Sequence, residues 1–221
     1  MSTACFIPIK ENSERVPGKN FRVLNGRKLY EYIIGHVLEA DCFDDIYVDT
    51  NSREIKEYVE ALGKNIKVID RLEWLAENTA NGNDLLVYHQ EKFPQYDYYF
   101  QLFATAPYLT PQSIRECYDF LLASEEHDSC FTALKNMGFY WMNQTPINYR
   151  PGILPRSQDL QPMIEETTGL YGISREALKK YRCRIGRKPY IHFVSKFEAV
   201  DINTEQDLKL AEYIGREYWG Y

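Results

Sequence analysis

Five polar side chains, Lys10, Ser13, Arg15, Lys19 and Asn20, crowd in behind the apolar run Cys5-Phe6-Ile7-Pro8-Ile9. An apolar run of this length has the pattern of a buried strand. The carboxyl end of the first strand in an open α/β sheet is where ligands bind. Cations and backbone N–H groups gathered there suit a polyphosphate, and Pro17-Gly18 shapes the backbone so that Lys19 is aimed. The spacing matches neither G-x-x-x-x-G-K-[ST] nor G-x-G-x-x-G, which excludes the common phosphate loops. On residue chemistry alone the segment reads equally as an anion site or as a solvated basic turn.

The elements that must position this loop alternate along the chain. Residues 3–9 form a first strand, and 29–40 carry apolar residues at helical spacing. Residues 45–49 are a strand, after which Asn51, with Glu54 three positions on, has the form of an N-cap for a helix stopping near Gly63. A short strand at 66–69, a helix over 83–92 and a buried strand at 98–103 follow. Thr110-Pro111 opens a helix to about Leu122 with its cap and first-turn proline in place, and 129–134 is the next strand. Strand and helix in alternation imply an α/β fold: a Rossmann-like, doubly wound and mostly parallel sheet with helices on both faces. Residues 137–149 break the alternation, are dense in aromatics and turn at Asn143–Pro146, the pattern of a β-hairpin. An exposed arm of that composition needs a partner surface. Strands at 169–173 and 190–194, a helix at 174–181 and a last helix from Thr204 complete a single domain over 1–221.

Composition narrows the function classes. The chain has 221 residues, 44% of them hydrophobic, with a net charge of −6. That balance is ordinary for a soluble globular protein and argues against nonspecific binding to nucleic acid or to a membrane surface. No apolar stretch reaches membrane-spanning length, and no charged-then-apolar leader opens the sequence. Five scattered cysteines without C-x-x-C or Cys/His clustering predict reduced thiols and a cytoplasmic setting.

Ser13-x-Arg15-x-Pro17-Gly18-Lys19-Asn20 resembles the signature loop of the cytidylyltransferases that activate acidic sugars, the CMP-sialic acid synthetase family. Further blocks follow in family order. Arg71-Leu-Glu-Trp-Leu-Ala-Glu-Asn-Thr79-Ala80 is similar to R-P-x-x-L-A-x-D-T-A, and Phe103-Ala-Thr-Ala-Pro107 to Q-P-T-S-P. Pro155-Arg156-Ser-Gln158 resembles P-R-Q, leading into Thr168-Gly169-Leu-Tyr-Gly-Ile173, and Asp201-Ile-Asn203-Thr204 resembles D-I-D-T.

The resemblance implies Mg²⁺-dependent transfer of CMP from CTP to an acidic sugar of the nonulosonic type, releasing pyrophosphate. It gives Lys19 and Arg15 the triphosphate, with Lys10 and Ser13 beside them, and Asn20 the ribose. Arg71 and the Ala80 backbone take the base, and Gly82 offers an N–H where relatives use a hydroxyl. Arg156 and Gln158 face the acceptor. The family glutamine falls at Phe103, so Gln101, two residues upstream on the same strand face, either substitutes for it or is an ordinary strand residue. Asp201 and Asn203 hold the metal through oxygen, Asn203 without charge, while Thr204 with Asp207 equally forms a helix capping box. Glu165 and Glu166 either face the pocket, cap a loop or pair with Arg156. The family's homodimer, in which an arm reaches into the neighbour's site, matches a hairpin arm over 137–163. Two rivals stay open: a different acidic acceptor (3-deoxy-octulosonate, a phosphonate or a phosphate ester), and a CTP-binding protein of weak activity.

Overall fold

A computed structural model describes residues 1–77 and 79–220. Seven strands form its central sheet: β1 (Thr3–Pro8), β2 (Asp45–Thr50), β3 (Lys67–Asp70), β4 (Tyr98–Leu102), β5 (Ser129–Asn136), β6 (Met163–Ser174) and β7 (Pro189–Phe193), in the order β7-β5-β6-β4-β1-β2-β3. Pairings β1–β2, β1–β4, β2–β3 and β5–β7 are parallel, while β6 runs antiparallel to both β4 and β5. The chain moves outward from β1 through β2 to β3, then returns to β4 on the other side of β1. That reversal opens a crevice past the carboxyl ends of β1 and β4.

Alternation along β1 explains why both faces are covered. Cys5 and Ile7 pack in one apolar cluster with residues of α1 (Leu29–Ala40), α2 (Arg53–Ala61) and α4 (Pro111–Ala123). Ala4 and Phe6 point the other way, into a cluster with α3 (Gly82–Lys92) and α5 (Arg175–Tyr181). The sheet is therefore doubly wound, as the alternation predicts. Gly172 leaves room for its cross-strand neighbours within the sheet: a Cβ built there would lie 2.5 Å from the Phe100 ring and 2.8 Å from Cys130 Sγ.

The capping signals hold with one exception. Thr110 Oγ1 accepts from Ser113 N, and Thr204 with Asp207 forms a full capping box for α6 (Glu205–Ile214). Asn51 is not a cap. The N-cap of α2 is Ser52, and Asn51 Oδ1 accepts from Glu11 N at 2.9 Å, so this amide secures the loop after β1. The arm contains the expected hairpin: Trp141–Met142 pairs antiparallel with Thr145–Pro146 across Asn143 and Gln144, both at positive φ. Ile153 and Leu154 are each 72% exposed on it, with Trp141 and Met142 also in solvent. Among the described residues no helix is long and apolar enough to cross a membrane.

Candidate active site

The loop after β1 is fixed before any ligand arrives. Gly18 takes φ 62°, which costs glycine little, and starts a single 3-10 turn at Lys19–Phe21. Lys19 is thereby turned inward: it is 8% exposed, and its Nζ donates to Ile202 O at 2.8 Å. Burial lowers the Lys19 pKa, an effect opposed by the charge of Asp201 and reinforced by Arg15. Asn20 Nδ2 donates to Lys10 O at 2.8 Å, which closes the loop on itself. The cation over this crevice is therefore a preset group with few solvent contacts, where electrostatic attraction is stronger than in water.

Past β3, Arg71 enters a buried network. Its Nε donates to Asp49 Oδ1 at 2.7 Å and its Nη2 to Asp49 O at 3.0 Å. Asp49 Oδ2 lies 2.5 Å from His89 Nε2, and the His89 ring stacks on Phe6 with centroids 4.4 Å apart. Burial alone would raise the Asp49 carboxyl; the His89 hydrogen bond and the Arg71 charge overcome it and hold the acid below its ordinary value. His89 is pushed down, mainly by burial, so it serves as a neutral donor through Nε2. Its Nδ1, a bare acceptor in that tautomer, is buried without a partner among the described residues. Asp49 thus balances Arg71, and His89 orients the carboxylate.

The two arginine and lysine positions meet in one cavity of about 480 Å³. Lys10, Ser13, Arg15, Lys19, Asn20, Arg71, Ala80 and Gly82 all line it. Asn81 caps α3 with a capping box that occupies the N–H groups of Asn83 and Asp84, while Leu85 N bonds Asn81 O. The Gly82 N–H is left free among the described residues, at the positive end of the helix. Phe103 and Thr105 complete the wall beyond β4. Asn78, a loop residue by sequence, lies outside the described residues.

A second cavity of about 420 Å³ shares Arg15, Lys19, Phe103 and Thr105 with the first and adds Thr168, Arg184, Asp201 and Asn203. Lys19 and Asp201 therefore face a common space. Asp201 Oδ2 accepts from Thr168 Oγ1 at 2.8 Å and from Asn203 Nδ2, whereas Asp201 Oδ1 is buried without a partner among the described residues. Thr168 reaches Asp201 because the register of β6 shifts between Glu166 and Tyr171, and Thr168 there holds φ 52°, rare for a β-branched residue. One orphaned carboxylate oxygen fits a hard cation taking most of its ligands from water and substrate phosphates, while Asn203 here faces Asp201 through its Nδ2.

Several predicted positions fall elsewhere. Gln101 is fully buried and donates to Gly82 O at 3.0 Å, behind the cavity wall rather than on it. Arg156 and Gln158 sit on an exposed turn of the arm, and Arg156 pairs with Asp159 at 2.7 Å, not with Glu165 or Glu166. Within one chain neither lines the two cavities. Glu165 and Glu166 border a third, smaller cavity that also touches Asp201 and Asn203; Glu166 accepts from Tyr171 Oη at 2.8 Å. Asp49, His89, Thr168 and Arg184 are the site residues that sequence reasoning missed.

The fold and this cleft define a nucleotidyltransferase-like α/β protein. Residues 4–181 match the cytidylyltransferase family, and the chain belongs to it. It is 24% identical to N-acylneuraminate cytidylyltransferase A of Danio rerio, over 95% of this chain and 50% of that protein. It is 26% identical to the pseudaminic acid cytidylyltransferase of Campylobacter jejuni, over 97% of this chain and 96% of that one. The chain spans about half the length of the N-acylneuraminate cytidylyltransferases it matches in Danio rerio and Streptococcus agalactiae. Among solved structures, CMP:2-keto-3-deoxy-manno-octonic acid synthetase complexed with CTP superposes with a TM-score of 0.71 at 15% identity, covering 97% of this chain and 98% of that one.

Proposed function

We propose that this protein transfers CMP from CTP to an acidic sugar of the nonulosonic type and releases pyrophosphate. The carrying observation is the wall shared by the two cavities. Lys19 and Arg15 stand between a compartment holding Arg71, Ala80 and Gly82 and a compartment holding Asp201. In this reading the base lies against Arg71, the Ala80 backbone and the Gly82 N–H, and Asn20 meets the ribose. Lys19 and Arg15 neutralise the triphosphate, with Lys10 and Ser13 beside them. A hydroxyl oxygen of the acceptor bonds to the α-phosphorus as the bond to the departing pyrophosphate breaks, and the hydroxyl proton passes to water. Preorganised cations supply the main protein contribution to such a step. Asp201, with the Asn203 amide oxygen, would hold Mg²⁺, whose charge favours the ionised hydroxyl and offsets charge on the phosphoryl oxygens.

The arm over 137–163 belongs to the same proposal. Its exposed apolar side chains suit a second copy of the chain, which would receive Arg156 and Gln158 at its acceptor side, with Gln101 behind the wall. Deleting 138–154 is expected to give an inactive monomer by light scattering; an active monomer refutes the arm's role. The five cysteines, all free, suit a reducing cytoplasm.

Pyrophosphate release with CTP, Mg²⁺ and a panel of acids (N-acetylneuraminate, legionaminate, pseudaminate, 3-deoxy-octulosonate) tests the reading. Release with the nine-carbon acids is expected. Release with 3-deoxy-octulosonate alone selects the rival acceptor, and CTP binding without release under any acid selects a binding protein.

A further inference from the structure

Arg184 carries no negative partner. No carboxylate among the described residues lies within ion-pair distance of its guanidinium, although the group is half-buried. It is nonetheless held in place. Its backbone N–H donates to Asn83 Oδ1 at 2.9 Å, its Cζ lies 3.7 Å from the centroid of the Tyr171 ring, and its Nη2 donates to Tyr171 Oη at 3.1 Å. The Phe103 ring lies 5.6 Å away and meets Tyr171 edge-on, with centroids 6.3 Å apart, so the two rings form a corner around the guanidinium. Space for the guanidinium is cleared by Gly82: a Cβ there would stand 2.6 Å from Arg184 Nη1. A flat cation stacked on one ring and flanked by another, with donors left over and Glu166 reached only through Tyr171 Oη, is a site arranged for an anion that comes from outside.

Position decides which anion. Arg184 lines the second cavity and not the first, and it abuts Gly82 on the rim of the first, so it stands where the two compartments meet. Asp201 and Thr168 share its compartment. We infer that Arg184 binds the carboxylate of the acceptor, from within the same chain and through its guanidinium fork. The inference rests on the proposed CMP transfer for the identity of the acceptor, not for the existence of the anion site. It also assigns a cis partner to a group that the exposed, Asp159-paired Arg156 does not reach within one chain.

Two variants test it, Arg184→Met, which keeps bulk on the Tyr171 ring, and Arg184→Lys, which keeps the charge without the fork. Arg184→Met is expected to raise the acceptor KM by about 10- to 100-fold, the worth of a charge-assisted pair, while the Kd for CTP by calorimetry moves less than about threefold. Arg184→Lys recovers part of the loss. A second readout does not need turnover. With ¹⁵N-labelled protein saturated with CTP, the Arg184 Nε–H resonance should shift on adding N-acetylneuraminate and stay put on adding its methyl ester. A shift with CTP alone, together with a matching rise in the CTP Kd of Arg184→Met, makes Arg184 a phosphate ligand and overturns the inference. No shift with any acid of the panel, or an unchanged acceptor KM, overturns it as well. Absence of pyrophosphate release by the wild type instead refutes the transfer reading, and the resonance experiment still decides whether Arg184 takes a carboxylate.

Discussion

At one end of the cleft Arg71, Asp49 and His89 satisfy one another behind a stacked Phe6, and little of the network is left for a ligand to complete. At the other end, among the described residues, Asp201 Oδ1 is buried without a partner and Arg184 has no carboxylate within ion-pair distance. At the first end the groups that aim Arg71 also neutralise it. The second holds groups whose cost of burial is recovered only when something binds, the usual trade between stability and a functional site. Removing a side chain should therefore have opposite consequences at the two ends.

The largest effect is expected from Asp49→Ala. Breaking a buried ion pair leaves the Arg71 charge uncompensated and should lower the unfolding free energy by about 3–5 kcal/mol in urea denaturation, with weaker CTP binding. A loss below about 1 kcal/mol would show that Arg71 escapes to water and would erase the contrast. Next is Asp201→Asn. Pyrophosphate release should fall by about 10²–10³-fold, while the unfolding free energy changes by no more than about 0.5 kcal/mol, since no protein partner is lost from Oδ1. Full activity in that variant would remove Asp201 from the chemistry.

The smallest effect sharpens the comparison through pH. His89 is held below its ordinary value of 6.5, chiefly by burial, with Asp49 drawing it part of the way back and Arg71 opposing. The unfolded chain therefore takes up this proton first. Stability present above pH 6.5 should drain as pH falls below it toward the lowered folded value. His36, lowered by burial too, contributes in the same window. Denaturation of His89→Gln at pH 7 and pH 5.5 should show a shallower decline than the wild type. An identical decline would mean that His89 does not resist protonation in the folded state.

How much of this was legible in the sequence follows from distance along the chain. Thr110-Pro111 and Thr204 through Asp207 declare their helices because a cap and its partner lie within one turn. The loop from Lys10 to Asn20 is likewise local, and its residues do share one cavity. Asn51 misleads for the same reason: its local pattern suits a cap, but the loop at Glu11, 40 positions away, takes its side chain. Arg71, Asp49 and His89 become partners only when β2, β3 and α3 are assembled, and nothing in their spacing pairs them. Arg184 sits amid Arg182, Arg187 and Lys188, a charge run that looks solvated. The one faint signal was Gly82 where a hydroxyl was expected, since the missing side chain makes room for the guanidinium.

The hydrogen bond from Lys19 to Ile202 O spans 183 positions. During synthesis on the ribosome, β1 and its loop emerge early, but the carbonyl that orients this lysine lies 183 positions further along the chain. A nascent chain halted before residue 200 would already own most of the sheet and still lack an aimed Lys19. The aiming of Lys19 is thus deferred until the segment around Ile202 has docked, and a chain stopped before that point would hold its sheet without an oriented lysine.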